Sequence, residues 1–319
     1  MKLLRQEDRT SPQSVVKTIT YFAAFALFLS CHTATLGAVS FRYEDTLPLL
    51  ADQVGRTRPV AVAVDAQLGE VCVTDARQSA LHIFNQHNIP LYRSNRAARI
   101  SFPSDGCVDH AGRLVCIDRL GGGMHGIRRL NPYGEPDDFT AAVPLDAWSP
   151  QHITITHSGH YLSLDTFHGV LTKHAPDTGA LVWQRQVARP DEDGLILGRP
   201  VEAADGRIYI PGGTLRRVLV LDAEGRILES FGEFGSAEGY FSMPVAACFS
   251  PDGDLLVLDR MRHKVMVFDQ DHRFVSEFGS MGAAPGQFYH PVSMAATADG
   301  RIYVAQGFLG RVQVFRFAR

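Results

Sequence analysis

The sequence has little of what marks the simpler protein classes. Its 319 residues include five cysteines, too few to staple a chain of this length with disulfides. No charge of one sign prevails: Lys+Arg 31 against Asp+Glu 34 leaves −3, so there is no overall basic field to draw in nucleic acid. Gly 29 and Pro 17 are ordinary amounts, which excludes a collagen-like or low-complexity chain. After residue 40 no long segment shows helical periodicity. Apolar residues make up 45%, enough to bury a sizeable core and to exclude a disordered chain.

The charge-free stretch lies at the start. Met1–Lys17 carries Lys2, Arg5, Arg9 and Lys17, whereas Thr18–Val39 has no Asp, Glu, Lys or Arg, and Tyr21–Leu29 is nearly all apolar. A basic start ahead of an apolar stretch predicts an export signal or membrane anchor over residues 1–39. Three outcomes are open. Cleavage after Ser40 would use the small-x-small site Ala38-Val39-Ser40. Lipidation of Cys31 would use Phe28-Leu29-Ser30-Cys31, which resembles a bacterial lipobox. Retention is the third, since 22 uncharged residues can reach across a bilayer. All three predict an exported product, periplasmic or membrane-anchored, touching the membrane through this segment only.

Residues 40–319 are organised by a repeat. Glycines that separate two short apolar runs stand at Gly69, Gly112, Gly159, Gly206, Gly253 and Gly300, at intervals of 43 and then 47 residues. Six residues after each comes a second mark: Asp75, Asp118, Asp165, Gly212, Asp259 and Gln306. Nine residues before lie Pro103, Pro150, Pro244 and Pro291, with Pro59 ten before. Each unit carries four short-strand signals. In the fifth these fall at Val245–Ser250, Leu255–Leu258, Val265–Phe268 and Phe274–Phe278. Asp205-Gly206, Asp252-Gly253 and Asp299-Gly300 predict two-residue hairpin turns, in which glycine supplies positive φ.

Six such units predict an all-β, six-bladed β-propeller of four-stranded antiparallel blades over residues 40–319. A blade alone cannot bury both faces, so the ring must close. The last unit ends after its third strand, Arg311–Phe317, and Ser40–Leu47 lies in phase to supply the fourth. The expected pairing sets Phe41 and Tyr43 against Val312–Phe315 and removes a bare edge.

The units resemble NHL repeats, whose pattern runs near P-x-G-I-A-V-D-x-x-G-x-I-Y-V-[AT]-D, then R-[IV]-x-V-F, then F-G. Here Pro291-Val-Ser-Met-Ala-Ala-Thr-Ala-Asp-Gly-Arg-Ile-Tyr-Val-Ala precedes Arg311-Val-Gln-Val-Phe315, and two units end in Ser230-Phe-Gly232 and Glu277-Phe-Gly279. The second and third units depart most, with outer strands that lack Phe-Gly. The resemblance implies a fold that hosts RNA binders, protein scaffolds and enzymes alike.

Loops joining the outermost strand of one blade to the innermost of the next, together with those between second and third strands, share one face and are the expected functional surface. Seven residues before each turn glycine, at the channel mouth, stand Val62, Asp105, His152, Arg199, Ala246 and Ser293. Three consecutive blades thus offer a carboxylate, an imidazole and a guanidinium, either as a polar ligand site or as a hydrated, mutually satisfied mouth. Arg77, Arg119, Arg260 and Arg262 add a rim suited to an anionic ligand or an acidic partner. Arg217 and Arg311 fill the Arg slot of the repeat and are expected to brace blades.

Enzymatic relatives of this fold hold zinc with His after the blade proline, a slot that here contains Val60, Ser104, Gln151, Gly198, Val245 and Val292. Lactonase-type propellers use carboxylates and Asn for calcium. Asp105 and Glu202 are available for that, but no Asn is placed to join them. A two-residue turn at Ala111-Gly112 would set Cys107 opposite Cys116, as a cross-strand disulfide or as two buried thiols. The first functional reading is therefore an exported, NHL-type scaffold that binds a protein or a small anionic ligand, with no nucleic acid, cofactor or catalysis. The alternative is a lyase or lactonase-like hydrolase using zinc or calcium near Asp105, His152 and Glu202.

Overall fold

A computed structural model describes residues 39–49, 57–65, 67–94, 96–120, 124–144, 146–190 and 194–319. Residues 1–38 of the expected export segment, Cys31 among them, and the glycines at 121–123 lie outside the described residues, whereas Val39 packs against the propeller core. Among those described, no helix is long and apolar enough to cross a membrane.

Residues Val39–Ala318 form one unit of six antiparallel sheets, an all-β six-bladed propeller. The first blade is Pro59–Val64, Val71–Asp75, Ala80–Phe84 and Pro90–Arg93. The third is His152–Ile155, Tyr161–Asp165, Val170–His174 and Leu181–Gln186, and the fourth Val201–Glu202, Ile208–Gly212, Arg217–Leu221 and Ile227–Phe231. The fifth is Pro244–Phe249, Leu255–Asp259, Lys264–Phe268 and Phe274–Phe278. The sixth joins Ser293–Ala296, Arg301–Gln306 and Arg311–Ala318 to the amino-terminal strand Ser40–Thr46. The second departs from the expectation, having three strands among the described residues: Asp105–Val108, Leu114–Arg119 and His125–Leu130. Beyond its third strand the chain makes one bridge, Leu130 with Pro136, and the described residues from there to Ser149 form no further strand.

The buried apolar groups cluster at seams between blades. Leu162, Leu164 and Leu171 of the third pack against Ile208, Ile210 and Leu219 of the fourth, and Val62 and Val73 of the first meet Tyr303 and Val314 of the sixth. This is why no blade stands alone: each face becomes dry only when its neighbour arrives.

The closing strand pairs Tyr43 with Phe315, as expected, and Phe41 with Phe317, two residues beyond the expected Val312–Phe315 stretch. Phe41 stacks on Phe278 of the fifth blade at 3.5 Å, so the borrowed strand also tightens a seam.

The turns differ from expectation by one residue. The amide of Asp109 bonds the carbonyl of Arg113, and the amide of Gly112 returns to the carbonyl of Asp109. The same pattern recurs at Thr156–His160, Ala203–Arg207, Ser250–Asp254 and Thr297–Arg301. These are three-residue loops in which glycine alone is left-handed, for example Gly112 at φ 73 and Gly253 at φ 86.

That extra residue shifts the register. Cys107 pairs with Val115 and Cys116 with Gly106, so the two thiols point to opposite faces of the sheet. The suggested Cys107–Cys116 bridge is corrected accordingly: both are free and buried.

Candidate functional site

The second mark of the repeat explains how the loop face is held. Asp75 Oδ1 accepts the amides of Arg58, Arg77 and Gln78. Asp259 likewise accepts those of Ser242, Met243, Met261 and Arg262. Each buried carboxylate thus pins two loops that meet at the mouth, and in the sixth blade Gln306 performs part of this with the Tyr289 amide.

Asp105, His152 and Arg199 come together as the spacing suggested. Arg199 Nη2 lies 3.0 Å from Asp105 Oδ1, and His152 Nδ1 lies 3.3 Å from Asp105 Oδ2. The guanidinium reaches further, donating to the carbonyls of Ile153 at 2.8 Å, Val62 at 3.0 Å and Gly106 at 3.1 Å. One side chain of the fourth blade thereby ties together the first, second and third across the channel. Asp105 is fully buried and receives the amides of Gly106 and Ile153 as well, while His152 Nε2 faces the Leu197 carbonyl at 3.1 Å. With four donors on one carboxylate its acceptor sites are filled. The set does not fit a zinc or calcium centre, since the carboxylate that would lead it is engaged. Glu202 pairs with His157 Nδ1 at 2.8 Å through Oε2, and among the described residues it is not grouped with Asp105 and His152 as a metal site.

The arginine rim divides. Arg77 and Arg119 are exposed, and the Arg119 guanidinium lies 5.7 Å from the Phe102 ring. Arg260 is half-buried, donates to the Pro291 carbonyl at 3.3 Å, and burial lowers its pKa. Arg262 is a brace: it donates to the Ala237 carbonyl at 2.8 Å and pairs with Glu277 at 3.1 Å. Arg311 repeats the arrangement one blade on, at the carbonyls of Ala283 and Gln287. Arg217, whose Nη1 meets Ser230 Oγ at 3.3 Å, stays within its own blade.

Two features of the surface and the channel were not read from the sequence. The first is an apolar girdle on the loop face. Phe102, Phe167, Phe234, Met261, Met281 and Phe308 are all exposed there, Phe308 by 76%. Arg216 lies over Phe234 at 4.0 Å. Phe167, Met261 and Phe308 each stand eight residues after a turn glycine, and Phe234 and Met281 are one 47-residue period apart, so the repeat frame carried this signal.

The second is a cavity of about 250 Å³ in the channel, on the side of the tight turns, with Arg199 in its lining. The residue five before the turn glycine lines it in every blade: Val64, Cys107, Thr154, Val201, Cys248 and Ala295. That row of small side chains was a legible signal. Its thiols are poor nucleophiles, because burial pushes the pKa of both Cys107 and Cys248 well up. Among the described residues no three of His, Cys, Asp and Glu are grouped to hold a metal ion.

No protein-family model and no curated protein matches the chain. Solved structures do match in fold. An auxiliary nutrient-binding protein from Bacteroides ovatus superposes with a TM-score of 0.63 at 14% identity, over 88% of this chain and 77% of that one. A gluconolactonase from Xanthomonas campestris gives 0.61 at 14%, over 90% and 93%. A catalytically inactive virginiamycin B lyase from Staphylococcus aureus, with quinupristin, gives 0.58 at 13%, over 87% and 99%. At such identities the likeness is one of fold: this chain is a six-bladed β-propeller whose structural neighbours include binding proteins and enzymes.

Proposed function

We propose that this chain is an exported, NHL-type propeller, periplasmic or tethered through residues 1–39, that grips a protein partner on its loop face and performs no chemistry. The observation that carries this reading is the apolar girdle. Phe, Met and Arg are the side chains enriched at the centres of protein interfaces, and here they project from loops that buried carboxylates hold rigid. Rigid presentation spares a partner the cost of ordering those loops. Support for the absence of catalysis comes from the mouth, where the three residues best suited to chemistry spend their hydrogen bonds on each other and on backbone carbonyls. Arg77 and Arg119 remain exposed for acidic groups of the partner, whereas Arg262 belongs to the scaffold.

The test is recovery of partners on the immobilised mature chain. The triple variant Phe234→Ala/Met281→Ala/Phe308→Ala is expected to lose the partner that wild type retains, and Leu68→Ala on the opposite face to keep it. Equal recovery by all three removes the proposal. A stoichiometric zinc or calcium surviving dialysis of the purified chain would move the function to the metal-dependent lyase or hydrolase reading.

A further inference from the structure

The channel cavity on the tight-turn side is unrelated to the loop face, and its charge is lopsided. Arg199 is the sole Lys or Arg among its lining residues, and Asp105 already balances it. Asp65 and Glu202 also line the cavity, and neither has a Lys or Arg partner there. Asp65 spends its oxygens on the amides of Gln67 and Leu68, which leaves its charge in place. Glu202 has 11% of its side chain exposed and engages His157 through Oε2 alone, so Oε1 remains available to an incoming donor. Just outside, Glu70 has its pKa raised by burial and by repulsion from Asp65, as expected where negative charge is uncompensated. His110, His157, Thr154 and Thr156 add neutral or titratable polar groups, and the remainder of the wall is apolar, including Val108, Ile155, Phe249, Met294 and Ala296.

We propose that this cavity binds a small organic amine, its ammonium group on Glu202 with Asp65 adding to the field, and its apolar body between Phe249, Met294 and the small side chains of the inner strands. The chemistry follows from the lining. A carboxylate nearly nine-tenths out of water attracts a cation more strongly than one at the surface does. The floor offers no reward to an anion, because the Arg199 donors are occupied by Asp105 and three carbonyls. A ring of aromatic or alicyclic carbon suits walls made of Ala, Val and Met, with Phe249 supplying a face for the cation. This inference does not depend on the partner-binding proposal, since the two surfaces lie at opposite ends of the molecule.

Isothermal titration of the purified chain with benzylamine, benzyl alcohol and benzoate decides the matter, because the three share a body and differ in the head group. Benzylamine is expected to saturate one site per chain, at least tenfold more tightly than the alcohol, with benzoate weaker still. Glu202→Gln should lower benzylamine affinity tenfold or more, and Phe234→Ala/Met281→Ala/Phe308→Ala should leave it unchanged. Equal binding of benzylamine and benzoate, or no saturable heat from benzylamine, overturns the proposal even if Glu202→Gln cannot be purified. Loss of partner recovery with amine binding intact would likewise separate the two proposals.

Discussion

The fifth and second blades were built from the same repeat and solve one problem differently. In the fifth, the outer strand ends in Phe278-Gly279, with Gly279 at φ 97. A side chain there would collide with the ring of Phe288, which is fully buried and packs on Phe278 and Phe315. The fourth blade repeats this with Gly232 and Phe241. Phe-Gly is thus a device that folds the following loop back under its own strand and anchors it with one aromatic nine residues on. The second blade has no Phe-Gly and no fourth strand among the described residues. In its place Phe139 packs edge-on to Tyr161 at 5.6 Å, and Trp148 tilts against His174 of the third blade at 5.6 Å. A groove of about 390 Å³ remains beside the third strand. The lesson is that a blade can lose its outer strand if side chains cover the seam, but it then leans on its neighbours.

Four experiments would break or sharpen that contrast. The largest effect is expected from deleting residues 40–47, which gives the sixth blade the strand count of the second without any substitute cover. Loss of the cooperative urea transition is expected, and a stable, cooperative product would mean that closure is dispensable. Next, Arg199→Met leaves Asp105 buried without its cation, a loss of about 3–5 kcal/mol in the urea midpoint analysis. Asp105 sits on the second blade, so hydrogen exchange should rise there first. An even rise around the ring would refute the dependence of that blade on the brace.

Third, Phe288→Ala should cost about 3–5 kcal/mol, as for a fully buried aromatic. Trp148→Ala, beside a groove that can collapse, should fall at or below the lower end of that range. The reverse order would show the improvised cover to be the tighter one. The smallest effect is acid sensitivity at the sixth-blade turn. Burial works to raise the pKa of Asp299, yet hydrogen bonds from Arg301 and Thr297 and the charges of Arg301 and Arg316 win, holding it at about 2 against an ordinary 3.8. Its stabilisation is present above the ordinary value and is lost as pH falls from about 4 toward 2. The side chain is half exposed, so screening keeps the contribution under about 1 kcal/mol. Asp299→Asn should flatten that part of the stability profile, and an unchanged profile would remove the assignment.

The sequence displays the ring plainly and the sites poorly, for a physical reason in each case. Turn glycines need positive φ and strand-end carboxylates need loop amides, so both recur at fixed intervals and can be counted. Whether a turn has two residues or three is not visible in Ala111-Gly112, since glycine takes the left-handed place in either. That single residue decided the fate of Cys107 and Cys116. The meeting of Asp105, His152 and Arg199 was legible from equivalent positions, but their mutual neutralisation was not. It depends on a guanidinium long enough to reach the Val62 carbonyl across the channel. The missing strand of the second blade had no signal of its own, since the third unit also lacks Phe-Gly and keeps its outer strand Leu181–Gln186, and its replacement by Phe139 and Trp148 follows no period.

The pairing of Ser40–Thr46 with Arg311–Ala318 makes closure of the ring a contact between strands far apart in the chain. Neither strand of this pair has its partner until the other is in place, so a ring lacking one of them leaves a sheet edge unpaired. A long wait between distant partners slows assembly and invites pairing with another copy.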